Sequence, residues 1–325
     1  TFYFTNPTGA TCKTKDGRDG FCLFQGCFVN DLEYHGRCAF GLASCCLAQS
    51  SCEKKTNANN TYFVNPSFPL PTTSLGTCTM EVKRRTNNIC QIRLDFVDFN
   101  LEQPNPDGNC FNDAFKVEGA RHRVPTLCGN NKGQHMYFEV EPNDIETPLI
   151  LSVTVKDITL TQRSWNIKIS MIECTSPEKA PPGCLQYYSG AEGLVKSFNF
   201  GLDTEEISRN SDLVSSSSVS SGTRQLANTD YTVCVRQERE YCSLSWMRNE
   251  EDGLFGFTVN GDVSKVDLKD LGSPILDSTT CGNNDDLVYI PNGVDEEGER
   301  SERHCGLGFP VNVTSVGVIF KLQSL

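Results

Sequence analysis

The chain has 325 residues, enough for two or three domains, and its 38% hydrophobic content allows packed cores. Seventeen cysteines point to an oxidising compartment, because their spacings are mostly too wide for the short Cys and His pairs of zinc sites. A net charge of −12 argues against nucleic-acid and anionic-membrane partners, both of which want a basic face.

No apolar run approaches the ~18 residues of a membrane helix, the best being Pro148 to Val155, so no membrane insertion is expected. Thr1 reads as the start of a mature, processed chain, which accords with secretion. Asn59-Asn60-Thr61 and Asn312-Val313-Thr314 are glycosylation sequons, with Asn59 and Asn312 as acceptors.

Residues 1–50 form a first unit. Cys12, Cys22, Cys27, Cys38, Cys45 and Cys46 crowd a segment too short to bury a core, so disulfides must stabilise it. The sequence alone does not choose among the possible pairings. From Cys52 onward the texture becomes short alternating runs separated by turn residues. Ile92, Leu94 and Phe96 alternate, and then the parity shifts to Phe99 and Leu101, which predicts a bulge near Val97 and Asp98. Met136, Phe138 and Val140 predict another strand, as do Leu149 to Val155 and Trp165 to Met171. Turns fall at Pro104–Gly108 and Gly129–Gly133. No helical period runs beyond a turn or two, and strands at this spacing read as a β-sandwich.

Ser176 to Gly183 reads as a linker, after which the pattern restarts. Cys52, Cys78, Cys90, Cys110 and Cys128 are answered by Cys184, Cys234, Cys242, Cys281 and Cys305, and the fifth of each set precedes a glycine. Further strands are expected at Phe255, Phe257 and Val259, and again from Val316 to Leu322. This internal repeat divides the chain into units 51–176 and 177–325. The second copy carries an insertion, Asp203 to Arg224, whose serine run Ser215 to Ser221 reads as a loop.

Several motifs then acquire a common meaning. They are Asn65-Pro66-Ser67-Phe68-Pro69, Ile92-Arg93-Leu94-Asp95-Phe96, Cys110-Phe111-Asn112-Asp113-Ala114-Phe115, Leu127-Cys128-Gly129 and Arg163-Ser164-Trp165-Asn166-Ile167. The second repeat adds Pro182-Gly183-Cys184-Leu185-Gln186-Tyr187-Tyr188 and Asp230-Tyr231-Thr232-Val233-Cys234. From about Cys52 to the end the sequence resembles the CUB family, in the form found in many secreted arthropod proteins. The resemblance implies an all-β chain of two tandem CUB-type, jelly-roll-like sandwiches. It also implies the bridges Cys52–Cys78, Cys110–Cys128, Cys184–Cys234 and Cys281–Cys305, leaving Cys90 to pair with Cys174. The N-terminal segment looks like a clip-type module, which would imply Cys12–Cys45, Cys22–Cys38 and Cys27–Cys46.

Many CUB domains bind calcium, a hard cation that wants about six to eight oxygens. The resemblance implies Glu102, Asp113 and Asp157 as metal ligands in the first repeat. In the second, Asp285 and Asp286 follow Cys281 but no glutamate answers Glu102, so only the first repeat is expected to hold calcium.

No protease or hydrolase motif is present, and no catalytic residue is assigned. Of the four histidines, His135 reads as structural and His304 as a loop residue, while Trp165 and Trp246 read as core anchors. The expected function is that of a secreted, non-enzymatic protein binding an extracellular protein or glycan. The alternatives are the non-catalytic region of a secreted serine protease or protease homologue, or a self-assembling structural component.

Seventeen cysteines cannot all pair within one chain, and Cys242 is left over. Nothing after Val316–Leu322 answers the Trp165–Met171 strand. The expectation is that the polypeptide continues roughly 20–30 residues past Leu325 and that Cys242 pairs there. A free thiol and an intermolecular bridge are the rival explanations.

Overall fold

The computed structural model describes residues 10–28, 32–141, 146–159, 161–201, 225–249, 256–261, 263–278, 280–282, 286–316 and 319–324. The fold is all-β. Helix among these residues is limited to short 3-10 turns such as Ala39–Gly41 and Pro274–Leu276. The Asp203–Arg224 insertion, Phe255, Asp285 and Val318 lie outside the described residues.

The N-terminal unit contributes β1 (Thr11–Lys13), β2 (Asp19–Leu23), β3 (Glu33–Cys38) and β4 (Ala43–Ser50). The first repeat supplies β5 (Lys54–Thr56), β6 (Thr61–Val64), β7 (Gly76–Val82), β8 (Ile89–Asn100), β9 (Asp113–Glu118), β10 (His135–Glu139), β11 (Leu149–Val155) and β12 (Ser164–Glu173). One sheet runs β6-β12-β8-β10 and the other β5-β7-β11-β9, the two layers of a sandwich. The N-terminal sheet is continuous with the first layer, because β4 pairs parallel to β6 across the 50/51 boundary. Lys168 Nζ adds an ion pair to Asp19 at 2.7 Å.

The bulge falls where the parity changes. Asn166 lies opposite Asp98 and Ile167 opposite Phe96, leaving Val97 unmatched and exposed. The extra residue turns both Phe96 and Phe99 to the same face. There they meet Phe115 edge-on, with centroids 4.9–5.8 Å apart. Trp165, Phe63 and the alternating buried positions of β11 complete the core.

The second repeat supplies β13 (Cys184–Tyr188), β14 (Tyr231–Arg236), β15 (Ser243–Trp246), β16 (Asp277–Ser278), β17 (Val288–Tyr289), β18 (Arg303–Gly306), β19 (Val313–Val316) and β20 (Ile319–Ser324). The β14/β20 pair repeats the β7/β11 pair of the first unit, and β15/β19 repeats β8/β10. Two expectations about strands and loops in this repeat differ from the structure. Phe257–Val259 makes no strand: Val259 and Asn260 N–H both donate to the Gly306 carbonyl, a single crossing with no ladder. His304 is a fully buried strand residue on β18, packed at a tilt against Phe309 with centroids 4.9 Å apart and with Nε2 3.1 Å from the Ser301 carbonyl.

Eight disulfides close within the units: Cys12–Cys45, Cys22–Cys38, Cys27–Cys46, Cys52–Cys78, Cys90–Cys174, Cys110–Cys128, Cys184–Cys234 and Cys281–Cys305. Cys242 is free and exposed, immediately before β15.

The presumed linker is a packed strap. Ala180 is buried, and its N–H and carbonyl each bond the Gln91 side chain at 2.8 Å. Beyond it, Leu185, Phe198, Leu226, Tyr231 and Val233 join the hydrophobic cluster of the first sandwich. The repeats therefore share one core along a seam.

Asn199 is the wedge of that seam. It is buried; its Oδ1 accepts the Asn130 N–H, its own N–H donates to Asn131 Oδ1, and its Nδ2 donates to Gln103 Oε1, at 2.8–2.9 Å. It occupies the space beside Gly129, where a Cβ would lie 2.0 Å from Asn199 Oδ1 and φ is +72°. Nearby, Gln186 donates to Gln134, and Gln134 donates to the Ser197 carbonyl, at 2.8 and 2.9 Å. Asn199→Ala keeps its own N–H bond to Asn131 but removes the partner of the Asn130 N–H and of the Gln103 side chain, and should cost about 1–2 kcal/mol in urea unfolding, whereas a loss below about 0.5 kcal/mol would place the seam at the level of a surface contact.

His135 faces the same seam. The Tyr187 N–H donates to its Nε2 at 3.2 Å, and Tyr137, Tyr188, Arg93 and Asp95 surround it. Burial first and the Arg93 charge second lower its pKa from 6.5 to about 4, against smaller opposing contributions from Asp95 and the Tyr187 carbonyl. The folded value lies below the unfolded one, so this contribution is present above pH 6.5 and is lost as pH falls toward 4, by at most about 3 kcal/mol. Urea unfolding of wild type and His135→Gln between pH 7 and 4.5 should show the wild type losing ground to the variant. Parallel curves would refute the assignment.

Candidate functional site

The first unit's loop end is where the resemblance puts its three metal-ligating acids. Asp113 opens β9 directly opposite Val155, the last residue of β11, which sets its carboxylate at the mouth of the 156–163 loop. The side chain is fully buried. Its Oδ2 accepts the Glu102 backbone N–H at 2.8 Å and Arg163 Nε at 2.6 Å, while its Oδ1 has no partner. Arg163 stands just before β12, as buried as Asp113, and its Nη2 donates to the Asp157 carbonyl at 2.8 Å.

The other two carboxylates turn elsewhere. Glu102 Oε2 accepts the Thr159 hydroxyl at 2.6 Å and that of Thr161 as well. The Asp157 side chain is exposed and accepts the Ile158 N–H at 2.8 Å, capping its own loop. A guanidinium therefore links the Asp113 carboxylate to the Asp157 backbone carbonyl. Calcium asks for about six to eight oxygens. Among the described residues no group of three His, Cys, Asp or Glu is gathered to hold a metal. In the structure the three acids of the expected ligand set thus turn to different partners, Glu102 to Thr159 and Thr161, Asp113 to Arg163 and Asp157 to its own loop, while the buried Asp113 Oδ1 has none.

The same loop end presents apolar surface to solvent. Phe111 is 68% and Ile158 72% exposed, with Lys156 Nζ 5.2 Å from the Phe111 ring centroid. On the outer face of β8 and β12 lies an open polar cleft of about 750 Å³, lined by Asn59, Arg93, Asp95, Lys168, Ser170 and Glu178 among others. Burial alone would lower the Arg93 guanidinium, but Asp95 at 2.6 Å and the Tyr137 hydroxyl at 2.6 Å outweigh it and raise its pKa. Lys168 is held by Asp19, so both cations of the cleft are already paired.

Asn59 is half-buried: its Oδ1 accepts the Met171 N–H at 2.7 Å and its Nδ2 donates to the Met171 carbonyl at 3.4 Å. Asn312 is half-buried ahead of β19, and the Thr314 hydroxyl donates to its Oδ1 at 3.4 Å. Trp246 packs beside Ile290, Phe309 and Val313 and donates Nε1 to Ser315 Oγ at 3.1 Å.

Sequence reasoning missed Arg163 as a cation and Asn199 as a wedge. For Arg163 a signal existed. It is the only basic residue between Lys156 and Lys168, placed in the loop that carries the third acid. For Asn199 none did, since its role depends on a glycine seventy residues earlier in the chain.

No helix of the described residues is long and apolar enough to cross a membrane. No curated protein sequence matches the chain. Among solved structures, the chain is similar to the full extracellular region of zebrafish Gpr126/Adgrg6 at 15% identity and a TM-score of 0.31, over 38% of this chain. It spans 15% of that region's length. It is also similar to the MASP-1 CUB2 domain bound to Ca2+, at 13% identity and a TM-score of 0.30, covering 37% of this chain and 98% of that one. The CUB1-EGF-CUB2 domains of rat MASP-1 align at 13% identity and a TM-score of 0.29, over 84% and 94% of the two chains. Residues 181–321 match the family model of the animal CUB domain, and the second repeat thus carries one animal CUB domain.

Proposed function

We propose that the chain is a secreted, non-enzymatic binding protein that engages an extracellular protein or glycan through two CUB-type units behind a clip-like N-terminal module. The observation that carries this reading is the animal CUB match over 181–321 in an all-β chain closed by eight disulfides, the chemistry of oxidising compartments. The first repeat enters as a second such unit because its two-layer sheet order places β7/β11 and β8/β10 where the second repeat places β14/β20 and β15/β19. Catalysis has no part in it. The two most buried histidines are committed to structure, His135 to the seam and His304 to Phe309 and Ser301.

The loop end of the first unit is the contact face in this reading, since Phe111 and Ile158 stand out from a framework fixed on every side. The test is a panel of secreted and cell-surface ectodomains and a glycan array, probed with the purified chain. A saturable partner should emerge, and Phe111→Asp with Ile158→Asp should weaken it roughly tenfold or more, as loss of apolar anchors does. A panel without saturable binding, combined with turnover of a peptide or ester substrate, would contradict the proposal.

A further inference from the structure

The loop end of the first unit poses a specific electrostatic problem. The Asp113 carboxylate is wholly buried at the start of β9, and a buried charge is tolerated only when paired and hydrogen-bonded. In the calcium-type arrangement that the resemblance implies, a divalent ion would neutralise it and tie neighbouring loops together. Here both tasks are met from within the chain. Arg163 Nε contacts Asp113 Oδ2 at 2.6 Å and Nη2 contacts the Asp157 carbonyl at 2.8 Å, so one planar cation links the start of β9 to the loop leaving β11. The Glu102 N–H on the same Oδ2 draws in the third loop. The Glu102 carboxylate, which a metal would recruit, is turned to the hydroxyls of Thr159 and Thr161.

We propose that Arg163 stands in this chain where a divalent cation would stand, so that the first unit's loop end holds its shape independently of calcium. Geometry favours the guanidinium for the purpose. Its fork reaches two acceptors in different directions and is fixed by its position directly before β12. The Arg163 backbone carbonyl also accepts the Thr72 N–H at 2.8 Å, which anchors the residue from the other side. The site therefore carries its own positive charge, with Asp113 Oδ1 left as its unpaired buried oxygen. The inference is independent of what the protein binds.

The experiment is thermal unfolding of the full chain in EDTA and in about 5 mM calcium, above the affinities of typical extracellular sites. It is run on wild type, Glu102→Gln, Asp157→Asn and Arg163→Ala. The expected result has two parts. Any calcium-induced rise in wild-type melting temperature is retained in full by Glu102→Gln and Asp157→Asn, because it does not arise at this loop end. In EDTA, Arg163→Ala melts well below wild type or fails to fold. A calcium-induced rise in wild type that disappears in Glu102→Gln or Asp157→Asn overturns the proposal. An Arg163→Ala protein that melts with wild type in EDTA overturns it equally, and the two acid variants keep it falsifiable if the arginine variant cannot be purified.

Discussion

The close fit of Asn199 against Gly129 sets how the two repeats of this protein relate. A β-sandwich normally buries its core between its own two sheets and leaves its loop ends to solvent. Here the first sandwich instead receives Leu185, Phe198, Leu226, Tyr231 and Val233 from the following repeat. Apolar burial supplies the driving force for that contact, but it is non-directional. Direction comes from the polar wedge. Asn199 can sit at the seam only because position 129 has no side chain and because three groups of the first repeat meet its hydrogen-bonding atoms. The Gln91–Ala180 pair at the strap and the Gly108–Ala227 bond at the opposite edge fix the same relation twice more.

This arrangement shapes how the surface can serve binding. The N-terminal sheet continues into the first sandwich through β4 and β6, so three units in sequence become one framework with several faces. The loop end bearing Phe111 and Ile158 projects from that framework, and its buried support is the Arg163–Asp113 pair. A recognition face built on such a support is preorganised. Its loops need not be ordered at the moment of contact, and less of the interaction free energy is lost to ordering.

Much of the fold was legible because a two-residue period leaves a direct trace. The alternation of Leu149 to Val155 became β11, and the parity change at Val97 became a bulge that turns Phe96 and Phe99 to one core. Legibility failed where structure depends on distant partners. Phe257 and Val259 alternate, but a strand needs a neighbouring ladder, and among the described residues the backbone there bonds the Gly306 carbonyl while Phe257 packs on Phe309. His304 looked like a loop residue because its burial is made by Phe309 and Ser301. Ser176–Gly183 has a linker's composition, yet Gln91, nearly ninety residues earlier, clasps Ala180. At the loop end Arg163 pairs with Asp113, and a family pattern of acids says nothing about an intervening arginine.

The account holds that the second repeat is built onto the first, and native-state hydrogen exchange addresses that directly. β14 carries Tyr231 and Val233 of the shared cluster, whereas β8 lies at the centre of the first sandwich. If the seam couples them, the β14 amides should open together with those of β8, with the same free energy and the same dependence on denaturant. Amides of β14 that exchange through a separate, lower-energy opening while β8 stays protected would show the repeats to be independent bodies and would contradict the account.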